Sequence, residues 1–178
     1  MTPSEHDPVR TLSLAMEQTA DMLARVTPEL LDRETPCADW TVQRLVDHLV
    51  ADPITFAAML RGEEPDWTAH AETVTDDWEA HFRRGAADLL ALWRQQDEAA
   101  RGGADWQAAE FAVHTWDLAR AIGASTDGLD PVVAEVGLAF MEANLTDDNR
   151  GGAFGKARPA PEGASAYDRI AAFAGRPV

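Results

Sequence analysis

The chain has 178 residues, and its 15 lysine and arginine side chains against 31 aspartate and glutamate side chains give a formal net charge of −16. This acidity argues against binding to nucleic acid or to an anionic membrane surface, because both are negatively charged themselves. The single cysteine, Cys37, excludes an internal disulfide and a zinc site built from paired cysteines. The length suits one domain over residues 1–178, in which a metal would need histidine and carboxylate ligands.

The N-terminus has no features of a secretory leader. Residues 1–10 carry two acidic side chains and no apolar stretch. No uninterrupted apolar run in the chain approaches the roughly 20 residues that a membrane span requires. We therefore expect a cytoplasmic protein whose partners are small molecules or proteins.

Apolar residues at helical spacing dominate the first half of the chain, and no alternating run of β-branched residues predicts a strand. A first helix is expected over about 7–26. Thr41 has the position of an N-cap for a second helix. The Asp52-Pro53 pair is expected to cap or kink the chain into a short separate helical piece over 54–60.

The second half of the chain continues the helical pattern. A long helix is expected over about 75–100, a second over about 105–122 and a third over about 131–144, with glycines after the first two. Four long helices with short accessory helices predict an all-α four-helix bundle.

The C-terminal region begins with a Gly/Pro-rich segment over 146–164, whose length is typical of a loop that is either functional or mobile. A terminal helix over 165–174 follows, because the residues from Ser165 to Asp168 resemble a capping box. Residues 150–178 hold 5 basic and 2 acidic side chains, whereas the rest of the chain holds 10 and 29. We expect this basic tail to pack on the acidic body, with a site for an anionic ligand as the alternative.

A polar stripe on the helix over 105–122 is the most informative feature of the chain. At about 100° per residue, Glu110, His114 and Asp117 lie within roughly 60° of one another. They fall inside the sector where an amphipathic helix keeps its core contacts. Burying a carboxylate and an imidazole without partners costs roughly several kcal/mol, so these groups need partners.

Glu110 and His114, together with His48 on the second helix, would form a His₂-carboxylate set with open positions, the pattern of a reactive metal centre. The alternative is that Glu110 and His114 form a buried pair on one helix and that His48 is an ordinary histidine at the edge of the apolar face of its helix. Asp117 is either the acceptor that orients a ligating histidine or a structural acid bonded to a loop.

Cys37 lies just before the second helix, which leaves two interpretations. The helix dipole would lower the pKa of a thiol close to the N-terminus of the helix. Most lone cysteines are instead buried and behave as small hydrophobic residues, which is the interpretation we favour.

Three blocks of the sequence resemble a known family. The segment 35–42 with 45–49, which includes Thr35-Pro36-Cys37-Ala38-Asp39-Trp40, resembles the metal-binding domain of the mycothiol-dependent maleylpyruvate isomerase group, part of the DinB-like superfamily. The block 110–119 is similar to a later part of that domain, with the pattern E-x-x-x-H-x-W-D. The closing block, 167–176, is similar to the tail of a subgroup described as metal-binding.

The resemblance implies a DinB-like four-helix bundle with a divalent metal, zinc in the characterised isomerases, held at the positions of His48, Glu110 and His114. Nickel, iron and manganese also suit such a ligand set. The wider group implies activation of a low-molecular-weight thiol such as mycothiol for transfer to a small electrophile. We do not expect maleylpyruvate isomerisation, because the isomerases carry an additional C-terminal domain that this chain is too short to contain.

Two functions therefore stay open at the level of the sequence. One is a metal-dependent thiol S-transferase in which Asp117 orients a metal ligand. The other is a non-catalytic bundle that binds metal, a small ligand or another protein and whose polar stripe is structural. A homodimer that buries some of the tryptophans is one alternative for the oligomeric state.

Overall fold

A computed structural model describes residues 6–65, 71–150 and 154–178 of the protein. Within these ranges the fold is all-α, as predicted, and its helices are α1 (Pro8–Leu23), α2 (Val42–Leu60), α3 (Trp78–Gln95), α4 (Glu98–Arg101), α5 (Ala104–Ile122), α6 (Pro131–Asn144) and α7 (Ala166–Phe173). A short 3-10 helix, Pro28–Leu30, lies between α1 and α2. None of the helices in the described ranges combines the length and apolar character that crossing a membrane requires.

Four helices form the bundle, and α6 and α7 cover one side of it. Helix α1 packs on α3 and α5, and α2 packs on the same two helices, which closes a ring of four. Helices α6 and α7 pack on α5 from outside the ring. Helix α5 is therefore the central element, buried at every position from Gln107 to Ala119 except the half-buried Glu110.

Side-chain caps start the helices where the sequence predicts them. Thr41 Oγ1 accepts a hydrogen bond from the backbone of Arg44 at the start of α2, and Ser165 Oγ accepts one from Asp168 at the start of α7. Helix α1 ends at Leu23 rather than near Val26, because the last backbone N–H groups there bond three residues back, in a tightened final turn.

The prediction of a separate helical piece over 54–60 was wrong, because α2 runs through Pro53 without interruption. Proline removes one backbone donor and crowds the preceding turn, which normally breaks a helix. Here α2 packs closely against α3 at this point, since a β-carbon built on Gly85 would lie 3.1 Å from Pro53 Cβ. Packing between the two helices thus outweighs the local preference of proline.

The prediction of one helix over 75–100 was also wrong at its end. Helix α3 ends at Gln95, the backbone of Gln96 is extended, and the side chain of Asp97 accepts a hydrogen bond from the backbone of Ala100 to start α4. An aspartate that caps a new helix competes with continuation of the old one.

The predicted loop over 146–164 contains no helix or strand in its described part, and residues 151–153 lie outside the described ranges. It is bonded to the end of α7. Gly155 N donates to Ala174 O at 3.1 Å and Arg158 N donates to Ala172 O at 2.9 Å. The segment therefore lies beside the end of the terminal helix. The structure places that helix at 166–173, close to the predicted 165–174.

Gly137 lets α6 approach the helix that carries the polar stripe. A β-carbon there would lie 3.0 Å from Ala109 Cα and 2.8 Å from Ile170 Cδ1. We predict that Gly137→Ala lowers the free energy of unfolding by roughly 1–3 kcal/mol despite its better helix propensity, because the backbone of α5 cannot yield. Denaturant unfolding measures this, with Gly102→Ala as the control, since no atom lies within 4 Å of a β-carbon at Gly102. Equal midpoints for Gly137→Ala and the parent would contradict the prediction.

Candidate metal centre

The structure brings together the three residues that the sequence nominates as metal ligands. His48 lies on α2, and Glu110 and His114 lie one turn apart on α5. Glu110 Oε1 is 3.3 Å from His48 Nε2 and 3.0 Å from His114 Nε2. One nitrogen from each imidazole and one oxygen of the carboxylate lie within 4.8 Å of one another. Two helices of the bundle thus direct an N₂O donor set at one point.

The cluster is buried at His114 and partly exposed at His48 and Glu110. The side chains of His48 and Glu110 are 29% and 20% exposed, whereas that of His114 is only 7% exposed. His48 is half-buried, as expected for a residue at the edge of the apolar face of α2. Solvent therefore contacts the cluster at His48 and Glu110.

Trp40 forms a wall of the site that sequence reasoning missed. Its ring stacks on the imidazole of His114 with centroids 5.7 Å apart, and it meets His48 edge-on at 4.9 Å. The guanidinium of Arg44 lies 4.8 Å from the centre of the same ring. A turn fixes this tryptophan, because Trp40 N donates to Cys37 O and Trp40 O accepts from Thr35 N.

Asp117 connects the cluster to the C-terminal tail. Its Oδ2 accepts a hydrogen bond from His114 Nδ1 at 3.1 Å, which leaves Nε2 of that ring to face Glu110. Arg176 donates to the same carboxylate from Nε at 3.1 Å and from Nη2 at 3.0 Å, and both side chains are buried. Asp117 thus contacts both the histidine and the segment after α7, so its contacts fit both of the roles considered for it. The tail packs on the acidic body, as predicted, through an arginine that sequence reasoning did not nominate.

Glu110 and His114 shift the pKa values of each other in opposite directions. Burial alone would raise the pKa of Glu110, but the charges and hydrogen bonds of His114 and His48 hold it well below the ordinary value. Burial alone would lower the pKa of His114, but Glu110 and Asp117 raise it well above the ordinary value. Glu110 and His114 therefore each favour the charged form of the other.

Asp52 is a further acidic residue at the site that sequence reasoning missed. It lies one turn after His48 on α2, with Oδ2 3.2 Å from His48 Nε2. Burial raises the pKa of this carboxyl to about 7. The available signal was the spacing of four residues from His48, but the sequence interpretation treated Asp52 as part of a helix break.

Cys37 is buried, and its burial raises the pKa of the thiol. This direction favours the interpretation of Cys37 as a buried small hydrophobic residue over that of an activated thiol. Cys37, His114 and Asp117 form a second group of potential ligand atoms within 4.8 Å. The oxygens of Asp117 are already engaged by Arg176 and His114, so this group is better suited to hydrogen bonding than to holding a metal.

The buried pair of Arg176 and Asp117 yields a stability prediction. We expect Arg176→Ala to lower the free energy of unfolding of the metal-free protein by roughly 3–5 kcal/mol, because it leaves a buried carboxylate without its main partner. The control is Arg169→Ala, since Arg169 is 43% exposed and 3.8 Å from Glu135. An exposed pair of this kind contributes less than about 1 kcal/mol. Similar losses in the two variants, measured by guanidinium unfolding, would show that the tail contact is not a principal stabilising interaction.

Comparison with known proteins agrees with the resemblance noted from the sequence. The family described as "Mycothiol maleylpyruvate isomerase N-terminal domain" matches residues 12–108, a stretch that contains His48 and ends shortly before Glu110. Two uncharacterised proteins of Mycobacterium tuberculosis, from strains CDC 1551 / Oshkosh and ATCC 25618 / H37Rv, are each 31% identical over 184 residues, which cover 97% of this chain and 99% of the relative. No solved structure matches the chain. The chain therefore belongs to the mycothiol maleylpyruvate isomerase N-terminal domain family, a DinB-like family, and this membership points to metal binding.

Proposed function

We propose that the protein binds one divalent metal ion through His48, Glu110 and His114 and uses it to activate a low-molecular-weight thiol for transfer to a small electrophile. The observation that carries this proposal is the convergence of two imidazole nitrogens on one carboxylate oxygen, at 3.3 and 3.0 Å. Donor atoms that share an ion at bond lengths of about 2.1 Å lie about 3.0–3.4 Å apart for bond angles between about 90° and 109°. The observed separations fall in this range.

The charges of the surrounding residues also suit a divalent cation. Asp52, Glu110 and Asp117 supply three carboxylates, and Arg176 supplies one fixed positive charge. Metal binding requires an ionised Glu110 and neutral imidazoles, and when both aspartates are ionised as well, the cluster carries two negative charges. A divalent ion would balance them in a region where an unbalanced charge is costly.

The hydrogen bond between His114 and Asp117 supports a ligand role for the histidine. A ligating histidine usually donates its other ring N–H to a carboxylate, which fixes the tautomer and makes the ligating nitrogen more basic. His114 Nδ1 has such a partner at 3.1 Å. Arg176 in turn fixes the carboxylate, so the orientation of the imidazole does not depend on the ion.

Thiol activation is the chemistry that this donor set and the family description support together. A divalent metal held by three protein ligands lowers the pKa of a thiol or water that occupies an open position. In the transfer, the thiol loses its S–H proton and a sulfur lone pair forms the bond to the electrophilic carbon. With an alkyl halide, the electron pair displaced from that carbon leaves with the halide, and the proton goes to solvent. With an epoxide or an activated alkene, the displaced pair stays in the product, on the ring oxygen or the neighbouring part of the alkene, and the proton is taken up there. The family description favours mycothiol as the thiol, and zinc, nickel, iron and manganese all suit the ligands, with zinc our first expectation.

The residues at the opening would bind and orient the reactants. Trp40 contacts both imidazoles and gives the site an aromatic wall beside the candidate ligands. The partial exposure of His48 and Glu110 leaves an approach for the second reactant. The site thus offers polar donors on one side and an apolar wall on another, the usual composition of a small-molecule site.

The first test is metal content. We expect about one equivalent of metal in protein purified without an affinity tag or added metal, and little in His114→Ala, because that variant loses both a donor and the link to Asp117. Elemental analysis provides the measurement. Cys37→Ser should keep the metal of the parent, since Cys37 belongs only to the other ligand group.

A parent protein that stays folded and metal-free after metal challenge would overturn the metal centre. Glu110 and His114 would then form a structural polar network, and the non-catalytic alternative would be favoured. Loss of metal in Cys37→Ser with retention in His48→Ala would instead move the ion to the second group.

The second test is thiol transfer. We expect metal-loaded protein to conjugate a low-molecular-weight thiol to at least one member of a panel of alkyl halides, epoxides and activated alkenes, and a chelator to abolish the reaction. Loss of thiol, followed by mass spectrometry of the product, measures it. His81→Ala serves as a control because His81 lies on α3, outside both ligand groups. Metal-loaded protein that neither binds nor conjugates any thiol would support a non-catalytic metal-binding protein.

A further inference from the structure

A groove at the start of α1 has a positively charged lining, although the protein as a whole is acidic. The groove has a volume of about 320 Å³ and is lined by Asp7, Val9, Arg10, Ser13, Arg94 and Arg101. Its three arginines come from three different helices, α1, α3 and α4. Three guanidinium groups against one carboxylate give the lining a formal charge of +2, on a chain whose formal net charge is −16.

Helix ends explain two of these arginines but not the third. Arg94 and Arg101 lie in the last turns of α3 and α4, where positive charge interacts favourably with the helix dipole. Arg10 lies in the first turn of α1, where the same dipole disfavours positive charge. An anion in the groove would compensate this unfavourable placement and the repulsion among the three guanidinium groups.

Acidic side chains do not neutralise the three arginines. Among the described residues, the ion pairs formed by arginine involve other positions, namely Arg61, Arg83, Arg150, Arg169 and Arg176. Asp7, the acidic residue of the lining, caps α1, and its Oδ1 accepts hydrogen bonds from Val9 N at 3.1 Å and Arg10 N at 3.2 Å. Because Asp7 takes up these N–H groups, an anion in the groove would depend on the arginine side chains and not on the N-terminus of the helix.

The end of α3 fixes the orientation of Arg101. Its Nε donates to Gln96 O at 3.1 Å, and its Nη2 donates to Arg94 O at 3.1 Å. Both acceptors are backbone carbonyls, so they orient the guanidinium and leave its charge unpaired. A binding group that is held in place before the ligand arrives loses less conformational entropy on binding.

The donors and the size of the groove favour a phosphate group as the anion. Guanidinium groups form paired, charge-assisted hydrogen bonds with phosphate oxygens. Three of them around one groove suit a group with oxygens in several directions better than a flat carboxylate with two oxygens. The volume of about 320 Å³ falls at the lower end of the range for small-molecule sites, about 300–1,000 Å³. The net charge of −16 opposes nucleic acid and anionic membranes, whereas a small anion senses mainly the charges within about 8 Å.

We propose that the groove binds the phosphate group of a small phosphorylated molecule through Arg10, Arg94 and Arg101. Half-buried Ser13, one turn after Arg10 on α1, adds a hydroxyl donor to the same lining. None of the candidate metal ligands lines this groove, so the proposal does not depend on the proposed function.

The first experiment is calorimetric titration of the full chain with inorganic phosphate, glycerol 3-phosphate and glucose 6-phosphate at constant ionic strength. We expect saturable binding of at least one of the two monoesters at a single site, and no binding of glucose or of chloride. Absence of binding by all three phosphate compounds would overturn the proposal. Binding of inorganic phosphate without either monoester would reduce the groove to an ion site and overturn the assignment to a phosphorylated molecule.

The second experiment repeats the titration with variants of the groove. Arg10→Gln and Arg94→Gln change exposed residues, and each is expected to weaken binding by about tenfold or more, the effect of losing a hydrogen bond to a charged group. The matched control is Arg84→Gln, because Arg84 is also exposed on α3, lies outside the groove and changes the net charge equally. Parent affinity in both groove variants, or equal weakening in Arg84→Gln, would overturn the proposal.

Removal of metal separates the groove from the candidate metal centre, since a metal ion with an open position also binds phosphate. Protein treated with a chelator should bind the monoester as the parent does. Loss of binding on chelation, restored by added metal, would place the phosphate on the metal and overturn this inference. Protein that takes up no metal but binds the monoester would overturn the proposed function and leave the assignment of the groove in place.

Discussion

The buried ion pair between Arg176 and Asp117 is the interaction that joins the C-terminal tail to the chemistry of the bundle. It is closed to solvent, so water and salt screen it little. The carboxylate is held by the guanidinium and, through the same Oδ2, orients the imidazole of His114. From there the contacts continue through Glu110 to His48 at the exposed edge. A single polar network therefore crosses from the terminal segment to the mouth of the site.

Local patterns were sufficient to predict most of the fold and the centre of the site. The spacing of four residues between Glu110 and His114 requires that both lie on one face of a helix, and their place among apolar residues predicts burial together. Thr41 and Ser165 have side chains that cap a helix through contacts within three residues. Such features depend on neighbours in the sequence, so the sequence alone determines them.

Features that depend on distant residues could not be predicted. Arg176 and Asp117 are 59 positions apart, and the charge difference between tail and body predicted docking without naming the partners. Pro53 lies inside α2 because a glycine on α3 leaves room at that point. The depth of Cys37, which raises the pKa of its thiol, depends on packing that a helix-dipole argument omits. The spacing of four residues between His48 and Asp52 was missed because the sequence interpretation placed a helix break at Asp52-Pro53.

The two ends of the polar network have different physical characters, and this difference bears on function. Replacing a buried ion pair by apolar residues of similar volume is often neutral or stabilises a protein by about 1–4 kcal/mol, so stability alone is a weak reason to keep so many charges in one bundle. At the tail, Asp117 and Arg176 are buried and satisfy each other. At the mouth, His48 and Glu110 are partly exposed and Asp52 Oδ2 has no donor. The closed end stabilises the fold and orients His114, whereas the open end leaves the candidate metal donors His48 and Glu110 in contact with solvent.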